Sequence, residues 1–198
     1  MEVRILSEWG YDEAIFGLGF SRGITIDMIF SDFIFNELVY ERMAGVAEKL
    51  YHKDNGENKF LESMGVWLDI TAPLFFWKHL DTYRAPQGDA DGIREPTGVT
   101  KQSGSTMYGI LKRDLTQADF ELSIISSTLM NLNGLRRRGE FIELVNALPS
   151  GYLQRREVKT NYKVLRHIYA QRKDHKLAQW HYFFNVLFES LAHPKFIK

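Results

Sequence analysis

The stretch "ITAPLFFWKHLDTYR", residues 70–84, decides how this chain is read. It begins apolar and aromatic. It ends on His79, Asp81, Tyr83 and Arg84, immediately before the Pro-, Gly- and Asp-rich loop "APQGDADGIREPTG" at 85–98. Upstream, Val66, Leu68 and Ile70 recur at every second position, so "FLESMGVWLDITAP" (60–73) carries a strand. Pro73 interrupts the strand, and "LFFWKHL" resumes as helix. Four polar or titratable groups thus arrive together where a buried element meets an exposed loop, a place where side chains are held by a rigid scaffold yet open to a ligand.

Away from this point the pattern is mostly helical. "VRIL" (3–6) alternates as a short strand, and "GYDEAIFGLGF" reads as a short helix ending in glycine. "GLGFSRG" (17–23) has the spacing G-x-G-x-x-x-G. It departs from the dinucleotide fingerprint and follows no strong strand, so it is a turn. Residues 26–52 carry apolar side chains at helical spacing until "HKDNGEN" stops them. "KQSGSTMYGILKRDL" (101–115) opens polar and becomes helix-like, and "LTQADF" reads as a cap and first turn. Residues 120–147 are expected to be helical with a break at "NLNG", and "NALPSGY" is a turn. Two further helices are expected at about 156–172 and 177–192. The expectation is an α+β fold: one domain over 1–198, mostly helical, with a small antiparallel or mixed sheet and an inserted loop at about 85–98.

Composition narrows the function. The chain has 198 residues, 44% hydrophobic and 14% aromatic, enough for a sizeable core. Its 25 basic and 25 acidic residues cancel, so nothing draws the whole molecule to nucleic acid or an anionic membrane. Cysteine is absent, which excludes disulfides, thiolate nucleophiles and cysteine-ligated zinc. "MEVRILSEWG" does not read as a signal peptide, and no apolar run approaches the roughly 20 residues of a membrane helix. A soluble, cytoplasmic protein is expected. The six histidines form no metal-ligand cassette, so no metal is expected. Arg136–Arg138 reads as a solvated helix face. In "QSGST" (102–106) the backbone and the Ser103, Ser105 and Thr106 hydroxyls suit a phosphate, although an ordinary loop or N-cap is the plainer reading.

Taken together, the segments resemble the flavin-dependent thymidylate synthases. That family carries Arg-His-Arg-x-x-Ser-x-Asn-Glu-x-Ser-x-Arg after a strand-led segment laid out like residues 60–84. Its glutamate, eleven residues before the proline, falls on Glu62, and its glutamine ahead of the motif falls on His79. Arg-His-Arg falls on Thr82, Tyr83 and Arg84, so the last arginine alone is kept. The second half of the motif is displaced by the loop onto "TKQSGSTMY". There Thr100 takes the first serine, Gln102 the asparagine, Ser103 the glutamate and Ser105 the second serine. Met107 stands where the family has a phosphate-binding arginine, and Tyr108 matches the aromatic that follows. The C-terminal half repeats the family order: Leu148-Pro149, then Asn161, then Arg172, then Ala178-Gln179-Trp180, with His181 in place of a glutamate and Val145 in place of an arginine.

The resemblance implies a ThyX-like fold and a chemistry without a protein nucleophile, which suits a chain lacking cysteine. It implies FAD as cofactor, NADPH and methylenetetrahydrofolate as co-substrates, and a pyrimidine deoxynucleotide, dUMP by default, reductively methylated at C5. It implies His79, Gln102, Ser103, Ser105 and Arg172 at the nucleotide, and Glu62, Tyr83, Arg84, Asn161 and His167 at the flavin. It also implies a homotetramer with sites shared between subunits. Each residue has a plainer role: Arg172 as a helix-surface cation, Asn161 as an N-cap, Glu62 as a solvated charge, His79 as a core edge. The missing arginines favour an alternative of another class, a non-catalytic nucleotide-binding or oligomeric interaction protein that keeps the fold without its chemistry.

Overall fold

The computed structural model describes the chain except for residues 26, 28–29, 32–33, 36, 54–55, 84–98 and 105–108, and leaves undescribed the side chains of 30–31, 34–35 and 100–101. The opening stretch folds as its pattern dictates. Strand β4 runs over Gly65–Pro73, and helix α4, Leu74–Leu80, follows without a gap. Pro73 is the N-cap in extended backbone, a position where its missing N–H costs nothing.

Before β4 come β1 (Glu2–Trp9), α1 (Tyr11–Phe20), the short β2 (Phe30–Ser31) and β3 (Ile34–Phe35), α2 (Glu37–Leu50) and α3 (Phe60–Ser63). After α4 come β5 (Thr100–Ser103), α5 (Ser126–Arg138), α6 (Phe141–Ala147), β6 (Leu153–Asn161), α7 (Tyr162–Arg172) and α8 (Ala178–Ser190). The main sheet is antiparallel, with strand order β1-β4-β6-β5, while β2 and β3 form a two-residue antiparallel ribbon. The fold class is the expected one, mostly helical α+β with a small sheet.

Three expectations are corrected. The helix expected over 26–52 covers Glu37–Leu50, and Phe30–Ser31 and Ile34–Phe35, largely aromatic and β-branched, supply the β2–β3 ribbon instead. The helix break falls at Gly139, not at "NLNG". Gly139 has φ 72°, a left-handed C-cap conformation that glycine adopts without Cβ strain, and it separates α5 from α6. Residues 153–161 are a strand, and the following helix begins only at Tyr162. The Thr116 expectation holds: its side chain and Asp119 form a reciprocal capping box around the 3₁₀ turn Gln117–Asp119.

The chain divides into two compact units. The described residues of the first lie within Met1–Arg4, Leu68–Arg84 and Thr100–Val158. Its core joins Ile110, Leu115, Phe120, Leu132, Leu135 and Leu144. Those of the second lie within Ile5–Trp67 and Lys159–Lys198, with Val99. There Ile15, Met43, Leu61, Met64, Tyr162, Trp180, Phe183 and Phe196 are fully buried. No helix among the described residues is long and apolar enough to cross a membrane.

The second unit is closed by its last residues. His193 stacks on Tyr11 at 3.6 Å between centroids, and its backbone N–H donates to the Tyr162 hydroxyl, which in turn donates to Glu8. Burial holds the His193 imidazole below its ordinary value of 6.5. The unfolded chain therefore binds more protons than the folded one between the two values. The stability of this closure should be fully present above about pH 6.5 and fall as the pH drops through the folded value. A His193→Phe variant should lose that acid-side slope in thermal melts taken across the window. An unchanged slope would exclude His193 as its source.

Candidate functional site

The expected site residues fall into two groups, one in each unit. In the first unit, α4 delivers His79, half-buried, on its last turn. The helix is anchored from within. The Trp77 indole Nε1 donates to the carbonyls of Ala72 (3.0 Å) and Gln154 (2.9 Å). Arg156 lies over the Trp77 ring at 4.4 Å and donates to both Asp81 oxygens at 3.0 and 3.2 Å. Thr82 Oγ1 donates to the His79 carbonyl at 2.7 Å and so satisfies a helix C-terminus. Tyr83 is buried, and its N–H donates to Leu80. Two of the polar residues after the aromatic run, Asp81 and Thr82, thus hold the end of α4.

Gln102 and Ser103 lie on β5 with both side chains exposed. The strand is tied to β6, where Gly104 N–H donates to the Arg155 carbonyl at 3.0 Å and Gln154 Nε2 donates to the Gly104 carbonyl at 3.3 Å. Arg84 and Ser105, with Met107, Tyr108 and the loop at 85–98, lie outside the described residues.

In the second unit, Glu62, Asn161, His167 and Arg172 are placed by two helices that pack together, α3 and α7. Asn161 is buried and caps α7, its Oδ1 accepting from Val164 N–H at 2.9 Å. The plain reading of Asn161 as an N-cap therefore holds, at the head of a helix that was expected to begin near residue 156. Glu62 is not a solvated charge, since Lys163 Nζ meets its Oε1 at 2.6 Å. The spacing from Lys163 to His167 puts both on one helix face, and both line a cleft of about 360 Å³ beside α7. His167 Nε2 lies 2.9 Å from the Gln171 amide. Arg172, at the C-terminal end of the helix, has its guanidinium 5.6 Å from the Trp180 ring centroid.

One candidate was missed in the sequence: Lys163, which ties α7 to Glu62. Its only signal was proximity, two residues after Asn161. A buried hydroxyl, Thr160 Oγ1, precedes Asn161 and has no hydrogen-bond partner among the described residues. Such a group costs about 1–3 kcal/mol while unmatched.

With the geometry in place, comparison with known proteins defines the class of fold. No protein-family model and no curated protein matches this chain. Solved structures do, and the fold they share with this chain is that of the flavin-dependent thymidylate synthases. A ThyX from Helicobacter pylori, complexed with FAD and dUMP, superposes with a TM-score of 0.71 at 15% identity, covering 100% of this chain and 98% of that one. A second Helicobacter pylori ThyX structure, with the same two ligands, gives 0.73 at 14% identity over 98% and 95% of the two chains. A UMP/dUMP methylase, PolB from Streptomyces cacaoi, bound to 5-Br dUMP, gives 0.57 at 14% identity over 84% of this chain and 76% of its own.

Proposed function

We propose that this chain is a divergent flavin-dependent thymidylate synthase that reductively methylates dUMP, or a related pyrimidine nucleotide, at C5. Methylenetetrahydrofolate would supply the carbon and NADPH the electrons. What carries the reading is the full-length likeness to ThyX structures holding FAD and dUMP, joined to one corner of this chain where Glu62, Asn161 and Lys163 meet at the head of α7. FAD, when bound, supplies the hydride that no side chain here provides.

The residues present fit such a cofactor at this corner. The Thr160 hydroxyl, without a partner among the described residues, is the kind of group that an added ligand or subunit satisfies. The cleft beside α7 offers Lys163 and His167 as donors to an anionic or carbonyl-bearing group. Glu62 holds the Lys163 ammonium in a fixed direction. Asn161 fixes the first turn of α7, and with it the direction in which Lys163 and His167 leave the backbone. Arg172 would meet the nucleotide, its guanidinium oriented by the Trp180 ring. Gln102 and Ser103, both exposed, and His79 are the further nucleotide-binding candidates that the resemblance implies. Tyr83, Arg84 and Ser105 complete the proposed set, and a homotetramer is the assembly that the resemblance implies.

The near-ultraviolet and visible absorption spectrum of the purified protein, before and after loading with FAD, tests this. A retained flavin band is expected. Lys163→Glu should weaken FAD retention about tenfold or more, because it places two carboxylates together in place of an ion pair. Colourless protein that ignores added FAD would end the reading.

One observation favours a second reading, a fold kept for nucleotide binding or assembly without turnover. Thr82, at a position where the resemblance calls for arginine, is spent on closing α4 through its bond to the His79 carbonyl. Binding of dUMP by protein that never takes up flavin would select that reading.

A further inference from the structure

Residues 150–156 serve α4 along its whole length. Leu74 N–H donates to the Tyr152 carbonyl at 3.0 Å and Phe75 N–H to the Ser150 carbonyl at 3.1 Å, so backbone meets the first turn. The Trp77 indole donates to the Gln154 carbonyl further along. At the far end the tie passes to a side chain, Arg156, which reaches Asp81 just past the helix. All of these residues belong to the first unit.

Arg156 does more than hold Asp81. Its side chain is 17% exposed and its guanidinium lies over the Trp77 ring, so most of its hydration is gone. Desolvating a guanidinium is costly unless its donors are paired, and here they are paired in two directions. Nη1 goes to Asp81. Nε donates to the Gln154 Oε1 at 2.9 Å, two residues back on the same face of β6. With Oε1 so engaged, the Gln154 amide presents Nε2 to the Gly104 carbonyl at 3.3 Å, immediately beyond β5. A continuous chain of hydrogen bonds thus runs from Asp81 through Arg156 and Gln154 to Gly104, each link orienting the next. An apolar side chain over Trp77 would pack there without making that connection.

The two ends of this chain are the two parts of the candidate nucleotide site that lie in the first unit. One end closes the helix that carries His79, and the other directly follows Gln102 and Ser103. In the family motif the corresponding stretches are continuous, whereas here residues 85–98 part them. Geometry that covalent continuity does not fix has to be fixed by contacts across space. We infer that Arg156 is a positioning residue. Acting through Asp81 and Gln154, it holds the end of β5 in register with the end of α4, and so sets the spacing of Gln102 and Ser103 from His79. The positioning role rests on the proposed nucleotide site; the link itself does not.

Two measurements on the full chain test it. Hydrogen–deuterium exchange over residues 100–104, read by mass spectrometry, reports on the link without flavin or nucleotide. Asp81→Asn and Arg156→Met should each speed exchange there about threefold or more. Lys112→Met, at an exposed position of the same unit, should not. The second measurement is dUMP binding by calorimetry, with and without FAD, joined to steady-state turnover. Gln154→Met keeps the backbone carbonyl that Trp77 uses, and should raise the dissociation constant and KM for dUMP about tenfold while kcat stays within about twofold. Arg156→Met should do the same, and the double variant should be no worse than either alone, because both substitutions cut one chain. A general loss of structure would lower kcat and add across the two. Exchange that ignores Asp81→Asn and Arg156→Met would overturn the inference, as would dUMP constants that Gln154→Met leaves unchanged. Protein that takes up no FAD but binds dUMP with these same responses would lose the proposed reaction and keep the positioning role. Unsubstituted protein that binds no dUMP would remove the nucleotide site and this role with it.

Discussion

Trp77→Ala is expected to destabilise the first unit by about 3–5 kcal/mol, the largest effect of any single truncation proposed for this chain. The ring is 1% exposed and packs edge-on against Phe76 at 6.0 Å. Its removal leaves a cavity inside a unit that also loses two indole hydrogen bonds and the platform beneath Arg156. Trp77→Phe restores most of the volume and loses the donor, so it should cost about 1–2 kcal/mol. Urea unfolding of both variants at one fixed protein concentration measures the pair. A Trp77→Ala midpoint equal to that of the unsubstituted chain would mean that α4 is not held in this way. The consequence reaches the site, because α4 carries His79 and its C-terminal end carries Asp81 and Thr82.

Gly10→Ala should cost about 2–5 kcal/mol through two separate causes. Gly10 sits at φ 84°, where an L side chain is strained. A Cβ there would also lie 2.3 Å from the backbone carbonyl oxygen of Ser63, which no rotamer change relieves. Ser63 ends α3, one residue after Glu62, so the clash pushes on the carboxylate that holds Lys163. Thermal unfolding and FAD retention should therefore both weaken in this variant. Gly45→Ala is the matched control. It lies inside α2 with open space around its added methyl, and it should stabilise by about 0.5–1 kcal/mol. Equal behaviour of the two substitutions would remove the steric argument.

How much of this was legible in the sequence varies by element. β4 and α4 were readable because β4 buries alternate positions so strongly that Val66, Leu68 and Ile70 mark its period, and because Pro73 punctuates the join. β6 was not. Its segment "LQRREVKTN" has Arg155, Glu157 and Lys159 exposed, and its first half carries no buried alternation to set against a helical reading. It is a strand because the sheet recruits it. Arg155 pairs with Asp69 of the neighbouring β4 at 2.7 Å, and its carbonyl accepts from Gly104 beyond β5. The candidate site divides the same way. Glu62, Asn161 and Arg172 were singled out by order and spacing, whereas Lys163 had no pattern of its own.

By itself, the sequence determined the local vocabulary of this protein: the β4–α4 join, the Thr116 capping box, the mostly helical class, and a chemistry that cannot run through a thiolate. These follow from side-chain period, turn chemistry and composition, which act over a few residues. Only the tertiary structure decided that 153–161 is a strand, that Asp81 answers Arg156 across 75 positions, that Lys163 answers Glu62, and that Lys163 and His167 line one cleft beside α7. Those outcomes depend on which distant residues a closed sheet and packed helices bring within hydrogen-bond range. No local propensity encodes that choice.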